Sequence, residues 1–106
     1  MLIDGKAAPS CLLPVSEAAG REIVTLEGLG TREAPHPLQT AFLEEQALQC
    51  GYCVNGVLLT VAALLRTKPA PSESEIRRAL AETLCRCGTH TRMLRAVERA
   101  AKAMRG

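Results

Sequence analysis

The chain has no tryptophan, one tyrosine and one phenylalanine, so aromatics make up 2% of its 106 residues. A core has to be built from aliphatic side chains, and the aromatic platform on which single-stranded nucleic acid stacks is missing. Charge of one sign is missing too. The formal net charge is +2 at pH 7, too small to point to nucleic acid as a partner. Nor is there a long apolar run: Met1-Leu2-Ile3 meets Asp4 at once, which leaves no signal core, and Val54 to Leu65 is too short and too interrupted to cross a bilayer. No membrane insertion is expected. The parts of a substrate-transforming site are also absent, since no phosphate loop or nucleophile with a base is found. Ser10 and Ser16 have no evident histidine partner, and Glu44-Glu45 reads as a solvated face.

What the chain does have is cysteine, five residues in a short sequence. An odd number and a Cys-x-Cys pair are awkward for disulfides. Reduced, metal-bound thiols in a cytoplasm-like compartment fit better, or a periplasmic one if a leader precedes the chain. Cys50 and Cys53 form Cys-x2-Cys, and after 31 residues Cys85 and Cys87 form Cys-x-Cys. Each pair falls just before a helical pattern. Thiolates ligate only when deprotonated, and the positive end of a helix lowers the cost of gathering negative sulfur.

Around these pairs the chain divides in two. Asp4-Gly5 suits a tight hairpin turn between Met1-Leu2-Ile3 and the run Lys6 to Leu13, which Pro9 and Pro14 confine or end early. Residues 22–26 read as a third strand. Gly28 to Pro37 reads as a linker, and Pro37 as the first residue of a helix with an apolar stripe reaching Gln49. Val54, Val57, Leu58, Val61, Leu64 and Leu65 predict a second, central helix. The Ser72-Glu73-Ser74-Glu75 box opens a third through Ile76, Leu80 and Leu84. Met93, Leu94, Val97, Ala100, Ala101 and Met104 turn one face of a fourth inward. Four helices in two pairs, each pair joined by a cysteine turn, suggest an internal two-fold duplication.

If the cysteine turns lie side by side, the N-termini of the second and fourth helices converge on the sulfurs. A 2Fe-2S cluster, whose negative charge grows on reduction, would be favoured there. A closed four-cysteine zinc site in a structural interaction module is the alternative, and spacing alone leaves both open.

The strings Gln49-Cys50-Gly51-Tyr52-Cys53 and Leu84-Cys85-Arg86-Cys87-Gly88 at this separation resemble the iron-sulfur subunit of the xanthine oxidase family, the molybdenum hydroxylases. The likeness covers nearly the whole chain. It implies a mainly α fold, a four-helix 2Fe-2S-binding domain with pseudo-two-fold symmetry over residues 31–106. A short β remnant of a plant-type ferredoxin domain precedes it over residues 1–30. It further implies Cys50, Cys53, Cys85 and Cys87 as cluster ligands, and Gln49 as a hydrogen-bond partner of the pterin of a molybdenum cofactor on a large partner subunit. Electrons from the hydroxylation of an aldehyde or N-heterocycle would pass through the cluster to a second cluster, a flavin subunit or a cytochrome. Cys-Arg-Cys-Gly-Thr-His, running through Thr89 and His90, is similar to subunits of nicotinate and isoquinoline dehydrogenases and some aldehyde oxidoreductases. His90 itself reads as a cap or surface residue, because four cysteines already fill the site.

The start departs from that pattern. Ser10-Cys11-Leu12-Leu13-Pro14 looks like the segment bearing the last ligand of the family's second cluster, whose first three ligands are absent. Cys11 is then an orphan ligand, and one cluster is expected on this chain rather than two. A start assigned too late is favoured over a separate completing chain or a degraded copy. Arg92, Arg95, Arg99 and Lys102 form a basic stripe on the last helix, read as solvated or as a dock for an acidic partner. A 2Fe-2S sensor would need an output domain that the sequence lacks.

Overall fold

Asp4 and Gly5 take φ of 50° and 82°, the two successive left-handed residues that a two-residue hairpin needs. They join β1 (Leu2–Ile3) to β2 (Lys6–Ala7) antiparallel, with Leu2 opposite Ala7, and β3 (Ile23–Val24) pairs antiparallel with the other edge of β1. The sheet order is β2-β1-β3. After Ala7 the run leaves the strand, turns through a 3-10 segment at Ser10–Leu12, and passes into a short helix α1 (Val15–Ala18). The computed structural model describes residues 1–105; residue 106, the end of the expected helical domain, lies outside the described residues.

Four helices follow: α2 (Pro37–Glu44), α3 (Val54–Thr67), α4 (Glu73–Ala79) and α5 (His90–Arg105). With almost no aromatics to spend, the chain buries its one phenylalanine, Phe42, completely, in one core with Leu38, Val57, Val61, Ile76, Met93 and Val97. α3 contributes Val57, Leu58, Leu59, Val61, Ala62 and Leu65 to the interior, and the sheet leans on it with Leu2 and Ile3 buried. The helix therefore sits between sheet and bundle, as its nearly all-round apolar surface predicts. α2 packs on α5, and α3 on α4. Exchanging α2 with α4 and α3 with α5 maps these contacts onto themselves, the relation an internal duplication requires.

The two leading helices start alike. Ser72 Oγ accepts from the Glu75 N–H at 3.2 Å while the Ser72 N–H donates to Glu75 Oε1 at 3.0 Å. At α2 the cap is His36: its Nδ1 accepts from the Leu38 N–H at 3.1 Å, and its N–H donates to Gln39 Oε1 at 2.9 Å. Burial holds the imidazole below its ordinary pKa, which favours the neutral form that leaves Nδ1 free to accept. Gly30 lies so close that a Cβ there would strike the His36 backbone nitrogen and Gln39 Oε1.

Three expected features are corrected. α2 does not run to Gln49: it ends at Glu44, where Gln46 takes φ 51°. The Ala47 N–H donates to Phe42 O and the Gln46 N–H to Leu43 O. This is a Schellman closure with glutamine in the place glycine usually takes. α4 ends at Ala79, so Leu84 is not a core residue but 86% exposed. Met104, on the last turn of α5 beside Leu65 and Pro69, is 44% exposed rather than part of the core.

Nor is the basic stripe simply solvated. Arg99 Nε sits 3.0 Å from Glu44 Oε2 and its Nη1 2.8 Å from Glu45 Oε1, and Arg92 donates to Gln46 O at 3.4 Å. Two of the four residues of the stripe, Arg99 and Arg92, thus clamp the C-terminus of α2, where cations are favoured, and Glu44-Glu45 is the counterpart of Arg99 rather than a free face.

Lys68 and the Ser72 cap hold the Glu75 carboxyl at about 2, against an ordinary 4.5. The folded form therefore binds fewer protons than the unfolded form between those values. The stability Glu75 confers is full above pH 4.5 and is lost as pH falls toward 2. The difference in melting temperature between the chain and Glu75→Gln should be widest near pH 7 and close toward pH 2. A difference independent of pH would remove the carboxylate charge from the account. Ser72→Ala should cost about 1 kcal/mol at neutral pH.

Candidate metal centre

Both cysteine turns are built on glycine. Gly51 and Gly88 take φ of 81° and 73°, and a Cβ at either would meet no neighbour. It is the left-handed backbone, not crowding, that calls for glycine. These turns reverse the chain between α2 and α3 and between α4 and α5. Cys53 stands at the N-cap of α3, while Gly88 and Thr89 separate Cys87 from the start of α5.

The two cysteine turns face each other: Cys87 bears on the Cys50 thiol and Cys85 on the Cys53 thiol. Cys50 is exposed and the other three are half-buried. Backbone donors face them. The Thr89 N–H, then the Thr89 hydroxyl, with lesser help from Cys53 and Gly88, pull the Cys85 thiol down to about 6. The Tyr52 N–H, followed by Cys87, lowers Cys50. Burial first, and then Cys85, pushes Cys53 up to about 11. Cys85 is thus the sulfur most ready to ligate at neutral pH.

Cys11 takes no part in this hydrogen bonding; it is exposed on the Ser10–Leu12 turn. His90 is exposed at the start of α5. Gln49 lies in the loop beyond α2, exposed on the wall of an open cavity of about 420 Å³ shared with Phe42, Leu43, Gln46, Leu48 and Arg92. Thr89 was not singled out by sequence reasoning, although a threonine just before an apolar-periodic run marks a helix cap. It is the one buried polar residue among those described.

Among the described residues, no three His, Cys, Asp or Glu side chains gather as around a single metal ion. Four thiols paired two and two and faced by N–H donors suit a larger, negatively charged group that takes four thiolates. A 2Fe-2S cluster is such a group.

Residues 25–98 match the 2Fe-2S binding domain family. The chain belongs to that family. It is 58% identical to a nicotinate dehydrogenase subunit of Pseudomonas putida over 99% of this chain and 67% of that protein. It is 48% identical to the alpha chain of isoquinoline 1-oxidoreductase of Brevundimonas diminuta over 94% of this chain and 65% of that one. Its fold superimposes on aldehyde oxidoreductase from Desulfovibrio gigas with a TM-score of 0.94 at 33% identity, covering 99% of this chain and 12% of that one. Within the family it stands with the iron-sulfur small subunits of molybdenum hydroxylases. The chain spans about two thirds or less of the length of such curated relatives, from 67% down to 58% of the first four. Among the described residues no helix is long and apolar enough to cross a membrane.

Gly51→Ala should destabilise the chain by about 1–2 kcal/mol, the cost of a side chain in left-handed backbone. Gly56→Ala, in the ordinary backbone of α3 with no neighbour in the way, should instead gain about 0.5–1 kcal/mol. Urea unfolding of the two variants checks the pair. Equal effects would mean that the Cys50–Cys53 turn does not need glycine.

Proposed function

We propose that the chain is a one-electron relay in a molybdenum hydroxylase, holding one 2Fe-2S cluster on Cys50, Cys53, Cys85 and Cys87. The observation that carries this reading is that the two cysteine turns face each other, Cys50 toward Cys87 and Cys53 toward Cys85. When bound, the cluster supplies a one-electron couple. The residues around it supply donors that offset added negative charge: the N–H groups of Tyr52, Gly88 and Thr89, and the Thr89 hydroxyl.

The electrons would come from a large subunit that carries the molybdenum cofactor and hydroxylates an aldehyde or N-heterocycle with water, a reaction that releases two electrons and two protons. They would leave to a second cluster, a flavin subunit or a cytochrome. Tyr52 and Leu84, 93% and 86% exposed, flank the cysteines and offer apolar surface for a partner to cover. Gln49, exposed beside Cys50, is the residue proposed to hydrogen-bond the partner's pterin. Five free cysteines suit a reducing compartment, and a cytoplasmic location is proposed on that ground.

Iron, zinc and acid-labile sulfide per chain, with an electron paramagnetic resonance spectrum after reduction, test the reading on material purified without oxygen. About two irons, two sulfides and a single signal are expected. Stoichiometric zinc without sulfide, persisting when iron and cluster assembly are supplied, would sink it in favour of a structural zinc module. In the assembled enzyme, Gln49→Ala should leave iron and sulfide unchanged but slow reduction of the cluster by substrate. An unchanged rate in rapid-mixing experiments would take Gln49 out of the electron path.

A further inference from the structure

Thr89 immediately precedes α5, where a threonine hydroxyl ordinarily accepts a hydrogen bond from the first turn of the helix. Here it does not. Among the described residues its Oγ1 has one partner, Cys85 Sγ at 3.6 Å, a hydrogen-bonding distance for an atom as large as sulfur. The residue is 5% exposed, so little water can compete for the hydroxyl. Only its backbone follows the helix: Thr89 O accepts from the Met93 N–H at 3.0 Å. A buried hydroxyl has been turned away from the helix it could cap and toward a sulfur.

The direction of that bond follows from the chemistry of the sulfur. Between a thiol and a hydroxyl either could donate, but a metal-bound thiolate has no proton, so the threonine must donate. Such a charge-assisted bond strengthens as negative charge on the sulfur grows. We propose that Thr89 is a tuning residue for the cluster. Acting through Cys85, its hydroxyl stabilises the reduced form over the oxidised form and raises the reduction potential. The step is the gain of one electron, from dithionite in vitro or from the reduced molybdenum centre of the partner subunit in the enzyme. No bond breaks, and the proton stays on the Thr89 oxygen.

This inference rests on the cluster reading above, and the experiment separates the two. Thr89→Val keeps the shape and removes the donor, and Thr89→Ser restores it. Each cluster-loaded chain is titrated against redox mediators and followed by its paramagnetic resonance signal, alongside iron and sulfide content. At the midpoint of the unmodified chain, Thr89→Val should show a reduced-to-oxidised ratio lower by about three- to tenfold. Tenfold corresponds to about 59 mV for one electron. Thr89→Ser should stay close to the unmodified value.

Equal potentials in the Val and unmodified chains, both with full clusters, would overturn the role of Thr89 and leave the relay standing. A serine variant shifted as far as the valine one would also overturn it. If the valine variant does not load, Thr89→Ala against Thr89→Ser makes the same comparison. An unmodified chain without iron or sulfide would overturn the relay itself, and this inference with it.

Discussion

The thirty-one residues between Cys53 and Cys85 must return the chain to the point it left, or the two cysteine pairs never meet. The fold meets this constraint with α3 running away from the site and α4 running back along it. The break at Lys68 to Pro71 and the Ser72 capping box set the return. α2 and α5 then close the bundle from the other side, with Phe42, Met93 and Val97 filling the space between them. Because both cysteine turns lie at the same end of this arrangement, the starts of α3 and α5 come together there. Their orphan N–H groups are an asset for a site that has to hold negative sulfur.

The Arg99 clamp bears on the same constraint. Exposed ion pairs are usually worth under about 1 kcal/mol each, and Arg99 is about half exposed, so its two bridges add little stability. Their effect is on place. They fix the C-terminus of α2 against α5, and the chain that leaves this end reaches Cys50 within a few residues. Arg92 does the same nearer the start of α5 by donating to the carbonyl of the left-handed Gln46.

Much of this was legible in the residues. Asp4-Gly5 announced the hairpin, Pro37 the start of α2, and Ser72 with Glu75 the start of α4. Each is a local signal, one or two residues whose backbone or side-chain chemistry permits little else. What escaped was decided at a distance. Gln46 ends α2 without glycine or proline because Ala47 and Phe42 are both buried behind the closure and Arg92 caps it from another helix. Leu84 fits the apolar period of α4 but lies beyond the point where the chain must turn toward Cys85. Glu44-Glu45 and Arg99 each look solvated until the bundle places one on the other, more than fifty positions apart along the chain. A histidine that caps a helix through a neutral ring, as His36 does, carries no signal until its burial is known.

A relay works best when gaining charge does not require moving atoms, and the construction of the two turns serves that end. The Cys50–Cys53 turn runs from the Schellman closure of α2 straight into α3. The Cys85–Gly88 turn, separated from the end of α4 by residues 80–84, leads into Thr89, which is buried and bonded to Cys85. Each turn is set by a left-handed glycine, Gly51 in the first and Gly88 in the second. The donors around the sulfurs are mostly backbone N–H groups, which cannot rotate away and need no reorientation when charge arrives. The Thr89 hydroxyl can rotate, yet its burial leaves Cys85 as its partner. Added charge would therefore be met by dipoles already in position, which is how so small a domain can hold a charged group without a large shell around it.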